Sequence, residues 1–335
     1  MKLVASPIRA AVIGYGGAFN MGKGHADWMA EAGIKTVAMC DTDPARCAAA
    51  EVDFPGIRTY TDYNELAKDP EIDLVVVILP HNLHSEPAIA LAKAGKHVVM
   101  EKPMCITVAE ADAMVVAAEA SGTMLSVFHN RRWDGDFMTI RDLVKEGLIG
   151  DVFQIEANIG GWGKPGTWWR SDRTIAGSAM HDWGAHFLDW ILNIVSSPVA
   201  GVVGYMKTDH WTEATIEDHA RTIVRFENGC TADLTVTSLD TSAKPKWRLI
   251  GTEGSIVANW GDKVTVNVIH ANRPATMEVN VQPTKWAEYY KNIAAHLERG
   301  EPLAVKATES RRTISIIEAA MESWETNQVV VPKHV

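Results

Sequence analysis

Up to residue 128 the chain alternates two rhythms. Apolar, β-branched runs occupy 8–13, 35–40, 74–79, 97–100 and 124–128, with a weaker one at 57–60, and several, such as LVVVIL at 74–79, have no polar position at all. A strand without a polar face is covered on both sides, as in a parallel sheet flanked by helices. The stretches between them carry helix starts: Asp43 before Pro44, Thr61 before DYNELA, and Thr107 at capping-box spacing from Glu110. This alternation predicts a Rossmann-type, doubly wound parallel α/β sheet over residues 1–128.

Beyond residue 129 the rhythm changes. Helical periodicity at 135–146 and 177–194 flanks a strand-like run at 152–158, and further strand-like runs follow at 199–206, 220–226, 230–238, 246–250, 255–259 and 264–269. Turn signals, ENG at 227–229 and GTEG at 251–254, separate several of them. They predict a C-terminal α+β domain, residues 129–335, with a large, mostly antiparallel open sheet and closing helices at 285–299 and 308–326. No repeat or low-complexity linker marks the boundary, which rests on the change of pattern alone.

One helical stretch departs from the ordinary rule. In GSAMHDWGAHFLDW, Met180, Trp183, Phe187 and Trp190 recur at three- and four-residue steps, yet Asp182, His186 and Asp189 form a polar stripe beside them. From Thr174 to Met206 there is no Lys, Glu, Arg or Gln, so the helix reads as buried. The stripe is open to three readings: a satisfied core histidine, a metal site, or a catalytic pair. No third and fourth ligand stands at suitable spacing, so no metal is expected.

Two more clusters bear chemistry. The first strand runs into Gly14 and Gly16-Gly17, with Gly22 and a helix beyond, and Asp41 follows at the end of the second strand. Glycines there allow the backbone to approach a pyrophosphate at a helix N-terminus, and the acid accepts from an adenosine ribose, so NAD is expected over NADP. Residues 18–21 lengthen the usual spacing. The second cluster, MEKP at 100–103, ends a strand; Glu101 and Lys102 read either as a solvated charge pair or, beside a nicotinamide, with Lys102 as a donor to a substrate oxygen.

Composition narrows the class. The chain has 335 residues, 47% hydrophobic and 22% charged, with a dispersed net charge of −10 and no basic run, which argues against nucleic acid and anionic membrane as partners. The start MKLVASPIRAAVIG does not read as a signal peptide, no apolar run reaches membrane-span length, and the four cysteines show no disulfide or zinc spacing. A cytoplasmic setting is expected. Eleven of the twelve tryptophans lie after residue 128, Trp162, Trp168 and Trp169 among them in a Gly/Pro-rich segment. They read either as packing or as walls for a sugar or nicotinamide ring.

The glycine loop, LPHNLH at 79–84, GKHVVMEKP at 95–103, NRRW at 130–133, GLIGDV at 147–152, GSAMHDWGAHFLD at 177–189, FENG, GTEGSI, ERGEPLAV and EAAMES together resemble the Gfo/Idh/MocA family of nicotinamide-dependent oxidoreductases. The resemblance implies a Lys102, Asp182 and His186 catalytic set. It implies that Leu79, Pro80, Asn82, His84 and Glu101 line the nicotinamide half of the cofactor site and that Trp169 and Arg170 approach nicotinamide or substrate, with Asn130, Arg131 and Trp162 as weaker substrate contacts. Ala176-Gly177-Ser178 replaces the family's common triple glycine. The expected activity is hydride transfer between nicotinamide and a secondary alcohol or ketone of a sugar, polyol or glycoside, by a homodimer or homotetramer. A non-sugar ketone or dihydrodiol reductase, a redox-assisted glycosidase and a non-enzymatic sensor are the alternatives.

Overall fold

The computed structural model describes residues 3–16, 20–242 and 244–334; the expected phosphate-loop residue Gly17 lies outside them. The first alternation becomes β1 (Arg9–Ile13), α1 (Met21–Glu31), β2 (Lys35–Cys40), α2 (Pro44–Asp53), β3 (Arg58–Tyr60), α3 (Tyr63–Lys68), β4 (Leu74–Val77), α4 (Ser85–Lys93), β5 (His97–Met100), α5 (Val108–Ser121) and β6 (Leu125–Val127). The strands form one parallel sheet in the order β3-β2-β1-β4-β5-β6. Strand order reverses between β1 and β4, and at such a switch point the carboxyl ends of the strands open a ligand crevice.

The uniformly apolar runs are buried as their pattern requires: Ala10, Ala11, Val12 and all of β4 are fully covered. Helix starts follow the capping chemistry. Asp43 Oδ1 accepts from the Ala45 amide at 2.9 Å, and Thr107 and Glu110 complete a reciprocal capping box. α3 is capped one residue later than expected, by Asp62, whose Oδ1 accepts from the Asn64 amide at 2.8 Å, in place of Thr61. An Asp carboxylate is at least as good a cap as a Thr hydroxyl, and with Asp62 as the cap the helix begins at Tyr63.

The second pattern becomes α6 (Gly135–Lys145), β7 (Val152–Gly160), α7 (Arg173–Ala176), α8 (Ala185–Ile194), β8 (Val199–Lys207), β9 (His219–Phe226), β10 (Thr231–Thr237), β11 (Trp247–Gly251), β12 (Gly254–Ala258), β13 (Lys263–His270) and β14 (Arg273–Asn280). Its sheet runs β14-β13-β12-β11-β7-β10-β9-β8, antiparallel except for β7 beside β10. One face buries Ile155, Ala157, Leu234, Trp247, Leu249 and Val266 with Phe137 of α6 and Phe187 and Trp190 of α8. The other carries cross-strand pairs, Arg221 with Asp233 and Arg248 with Glu156. β14 escaped the sequence reading because it is an edge strand, pairing only with β13, and edge positions tolerate Pro274 and polar residues.

Two closing helices follow, α9 (Ala287–Arg299) and α10 (Ala307–Thr326). The chain folds into two compact units, each built from two segments. One compact unit comprises the chain up to Asn130 together with Trp286–Arg311; the other comprises Arg131–Lys285 and the chain from Arg312 onward. The return of α9 to the first unit has a physical cause in its two tyrosines. Tyr289 and Tyr290 are both buried there, with the Tyr289 ring 4.9 Å from Phe128 and its hydroxyl 2.8 Å from Ser126 Oγ.

Candidate functional site

In the first unit the glycine turn leaves β1 at Gly14, whose amide donates to the Cys40 carbonyl at 2.8 Å and whose φ is +92°. A Cβ there would fall 1.9 Å from the Ile78 carbonyl oxygen, so only glycine fits. Gly22, despite the lengthened spacing, does the packing work of a third glycine: a Cβ would stand 2.7 Å from the Tyr15 ring and 3.1 Å from the Gly14 carbonyl. Gly16 is different. It is exposed, and among the described residues nothing lies within 4 Å of its missing Cβ, which leaves room for a ligand's close approach.

The end of β2 completes this turn. Asp41 Oδ2 accepts from the Tyr15 amide at 2.8 Å and Oδ1 from the Asp43 amide at 3.0 Å, which fixes the carboxylate against the glycine loop. α1 starts at a left-handed Asn20 that makes no side-chain cap, and its first turn has no acid. Positive helix-end potential, an open glycine and a placed carboxylate fit a dinucleotide.

At the ends of β4 and β5, Leu79 and Pro80 are half-buried and Asn82 is exposed in a 3₁₀ turn, His81–Leu83. His84 is fully buried, with Nδ1 2.8 Å from the Pro103 carbonyl and Nε2 2.8 Å from the Leu79 carbonyl. Both neighbours are acceptors, so a neutral ring donates to only one of them, and burial holds this imidazole below its ordinary pKa. With one ring nitrogen at each carbonyl, His84 ties the segment after β4 to the segment after β5. Glu101 and Lys102 are half-buried, not a solvated pair. Glu101 Oε2 accepts from the Lys102 amide at 2.7 Å, and Oε1 lies 3.1 Å from His25 Nε2. Burial would raise this carboxyl, but the hydrogen bond from His25, the neighbouring Lys102 charge and the Lys102 amide bring it below the usual range.

The second unit holds the polar stripe, and the helix expected over 177–194 has a more elaborate start. Asp172 caps the short α7, Gly177 turns with φ +85°, and Met180–Gly184 forms a π-helical turn before α8. Replacing Gly177 would place a Cβ 2.8 Å from His181 Nδ1, the atom that accepts from the Ser178 amide at 3.0 Å. Glu217 fastens the same turn, accepting from the Ala179 amide at 2.8 Å and from Arg173 at 2.6 Å. The chain therefore builds this turn with Gly177 alone. π-turns are uncommon and cluster at functional sites.

On this turn Asp182 is half-buried, while His186, in the first turn of α8, is 4% exposed with its ring 5.7 Å from Trp183 and 6.3 Å from Trp190. Asp189 leaves the stripe. Its oxygens take a bidentate bond from Arg132, 2.8 Å from Nε and 2.6 Å from Nη2, where both side chains are under 10% exposed. Arg131 lies 4.6 Å over Trp183 and bonds Asp134 at 2.9 Å. Arg170 lies 5.0 and 4.9 Å over Trp168 and Trp169. Asn130 is buried in the first unit, and Trp162 is 57% exposed against His210 and Trp211.

The tryptophans thus divide. Trp190 and Trp247 are core, whereas Trp162 and Trp168 present surface. Among the described residues no group of three His, Cys, Asp or Glu side chains is arranged to hold a metal, and no helix is long and apolar enough to cross a membrane. Sequence reasoning missed His25, Tyr290, Arg132 and Glu217. Their partners lie 38 to 265 residues away, a separation that no local spacing signals.

The comparisons agree with this architecture. A family model described as an oxidoreductase family with an NAD-binding Rossmann fold matches residues 8–129, and the GFO/IDH/MocA C-terminal domain matches 137–257. The chain is 30% identical over 317 residues to scyllo-inositol 2-dehydrogenase (NADP(+)) IolW of Bacillus subtilis (strain 168), covering 87% of each chain. It is 30% identical over 281 residues to 1,5-anhydro-D-fructose reductase of Ensifer adhaerens, covering 81% of this chain and 84% of that one. Among solved structures it resembles an NAD-binding protein from Listeria innocua, with a TM-score of 0.86, 28% identity and 97% of each chain covered. Levoglucosan dehydrogenase in complex with NADH and levoglucosan, at 24% identity, shares the fold with a TM-score of 0.84 over 97% of this chain and all of that one.

Proposed function

The chain belongs to the Gfo/Idh/MocA family of oxidoreductases with an NAD-binding Rossmann fold, and from that premise we propose that it interconverts a secondary alcohol and a ketone on a sugar, polyol or glycoside. The observation that carries this reading is the placement of Asp182 and His186 on a π-turn and the helix start after it, which His181 and Glu217 hold in place. A histidine kept only for packing needs no such device, and strained or irregular backbone is retained where chemistry uses it. The relatives' names, a scyllo-inositol dehydrogenase and an anhydrofructose reductase, support a sugar or polyol as substrate.

Gly14, Gly16, Gly17 and Asp41 would hold the pyrophosphate and adenosine ribose. Leu79, Pro80, Asn82, His84, Glu101, Trp169 and Arg170 would hold the nicotinamide half. Bound nicotinamide supplies the two-electron acceptor or donor. His186 takes the hydroxyl proton in oxidation and returns it in reduction, Asp182 orients the hydroxyl, and Lys102 stabilises the developing alkoxide. Asn130, Arg131 and Trp162 contribute substrate contacts. Asp41 favours NAD, because a carboxylate at the ribose repels an added phosphate. The outer sheet face, with Val203, Ile223, Ile250 and Val257 half-buried and Tyr205 exposed, supports a homodimer or homotetramer, and the absence of paired cysteines among the described residues supports a cytoplasmic setting.

The test is a panel of sugars, polyols and small ketones with NAD and NADP, read by nicotinamide absorbance, on the native protein and His186→Ala. A positioned general base is worth on the order of 10² to 10⁴ in rate, and His186→Ala is expected to lose that much while still binding cofactor. Cofactor binding without turnover on any substrate would favour a sensor instead.

A further inference from the structure

His25 projects from α1, the helix that follows the glycine turn, into the interior of the first unit, where it is fully buried. Its two ring nitrogens meet different partners. Nδ1 lies 2.6 Å from the hydroxyl of Tyr290 on α9, and Nε2 lies 3.1 Å from Glu101 Oε1 at the end of β5. The second Glu101 oxygen accepts from the Lys102 amide at 2.7 Å. Phe128, 4.3 Å from the imidazole, and Trp28, 5.5 Å away, close the surroundings.

The direction of this chain of bonds follows from the chemistry of its ends. A carboxylate only accepts, so Nε2 of His25 donates to Glu101. In the neutral ring Nδ1 then carries a lone pair, and Tyr290, which burial keeps in its phenol form, donates to it. Each member has its partner fixed by the one before, from Tyr290 through His25 and Glu101 to the backbone of Lys102.

We propose that Tyr290 and His25 are positioning residues that set the orientation of Glu101 and, through its bond to the Lys102 amide, the placement of the Lys102 side chain for the reaction. The proposal rests on the reading of Lys102 as the group that stabilises the alkoxide. It gives α9, which returns to the first unit after some 155 intervening residues of the other, a function as well as a packing role. A misplacement of a reacting group by a fraction of an ångström to an ångström costs on the order of 10- to 100-fold in rate, which is the effect expected here.

The experiment uses the full-length protein in Tyr290→Phe, His25→Leu, His25→Gln and Lys102→Met forms, with turnover, KM, NADH affinity and melting temperature measured on each. Tyr290→Phe removes one hydroxyl and keeps the ring, so it is expected to lower kcat about tenfold while KM and NADH affinity stay within about twofold. His25→Leu is expected to lose more, and His25→Gln, whose amide can still donate toward Glu101, to recover part of the loss. Independently of turnover, nitrogen NMR of histidine-labelled protein is expected to show His25 protonated at Nε2 and bare at Nδ1, with the Nδ1 resonance moving in Tyr290→Phe. Normal turnover in Lys102→Met overturns the reading of Lys102 and this proposal with it. Loss in Lys102→Met with full kcat in Tyr290→Phe and His25→Leu, or a His25 protonated at Nδ1, overturns the relay alone.

Discussion

Asp189 shares a helical stripe with Asp182 and His186, yet its bidentate bond to Arg132 marks it as structural, and this difference can be measured. Both side chains are nearly inaccessible, Arg132 at 9% and Asp189 at 3%, and both Arg132 bonds are short. Removing one partner takes this bidentate bond away from a charge that stays buried, at a cost of about 3 to 5 kcal/mol. For a unit of this size each kcal/mol shifts the melting temperature by roughly 2 to 4 °C, so Arg132→Met or Asp189→Leu is expected to lower it by roughly 6 to 20 °C. Replacing both groups by apolar ones removes the stranded charge, and such double changes are often close to neutral. The Arg132→Met/Asp189→Leu variant is therefore expected to be more stable than either single variant, with a coupling energy of about 2 kcal/mol or more. Urea and thermal unfolding of the four proteins give this cycle, and kcat per folded molecule gives the second readout, expected to stay within about threefold. Additive stability losses would refute the buried-pair argument. A collapse of kcat in Asp189→Leu at unchanged stability would return Asp189 to the chemistry with its two neighbours.

Asp41→Ala is expected to narrow or reverse the preference for NAD over NADP, measured as the ratio of kcat/KM values; an unchanged ratio contradicts the ribose assignment. Gly14→Ala forces a side chain onto the Ile78 carbonyl at a positive φ and is expected to abolish NADH binding measured by fluorescence and to lower the melting temperature, whereas wild-type values would mean the turn has another shape. Burial depresses the His97 imidazole from 6.5 to about 4, and its Nδ1 accepts from the Met124 amide at 2.9 Å. The unfolded chain takes up that proton first, so the stabilisation is complete above pH ~6.5 and drains as pH falls toward ~4, by about 3 kcal/mol in all. Urea unfolding between those limits should show this slope in the native protein and a shallower one in His97→Gln.

Much of the architecture is legible because burial on both sides, or on one, writes itself into local pattern. The unbroken apolar run of β4 announces a covered parallel strand, and Asp43 and the Thr107 capping box announce their helices, since a cap is satisfied within three residues of itself. Gly14 and Asp41 were readable for a related reason: a tight turn and an acid at a strand end each impose a residue type on one position. The family resemblance pointed to Lys102, Asp182 and His186, while the residues themselves left core packing and metal binding open.

What the pattern could not carry was the choice of partner. Periodicity says that the helix of Asp189 is buried but not which cation meets it, and it gave no sign of His25 and its phenol, because those contacts join residues 57 and 265 positions apart and depend on how the sheets and helices stack. The same limit hid the capture of α9 by the first unit, which two buried tyrosines decide, and the anchoring of the π-turn by Glu217 from a distant loop. Local sequence determined where strands, caps and the glycine turn must be, since their energetics close within a few residues. Only the tertiary structure decided which buried polar groups satisfy one another, because an unpaired polar atom in the interior costs more than any local preference and its remedy can come from anywhere in the chain.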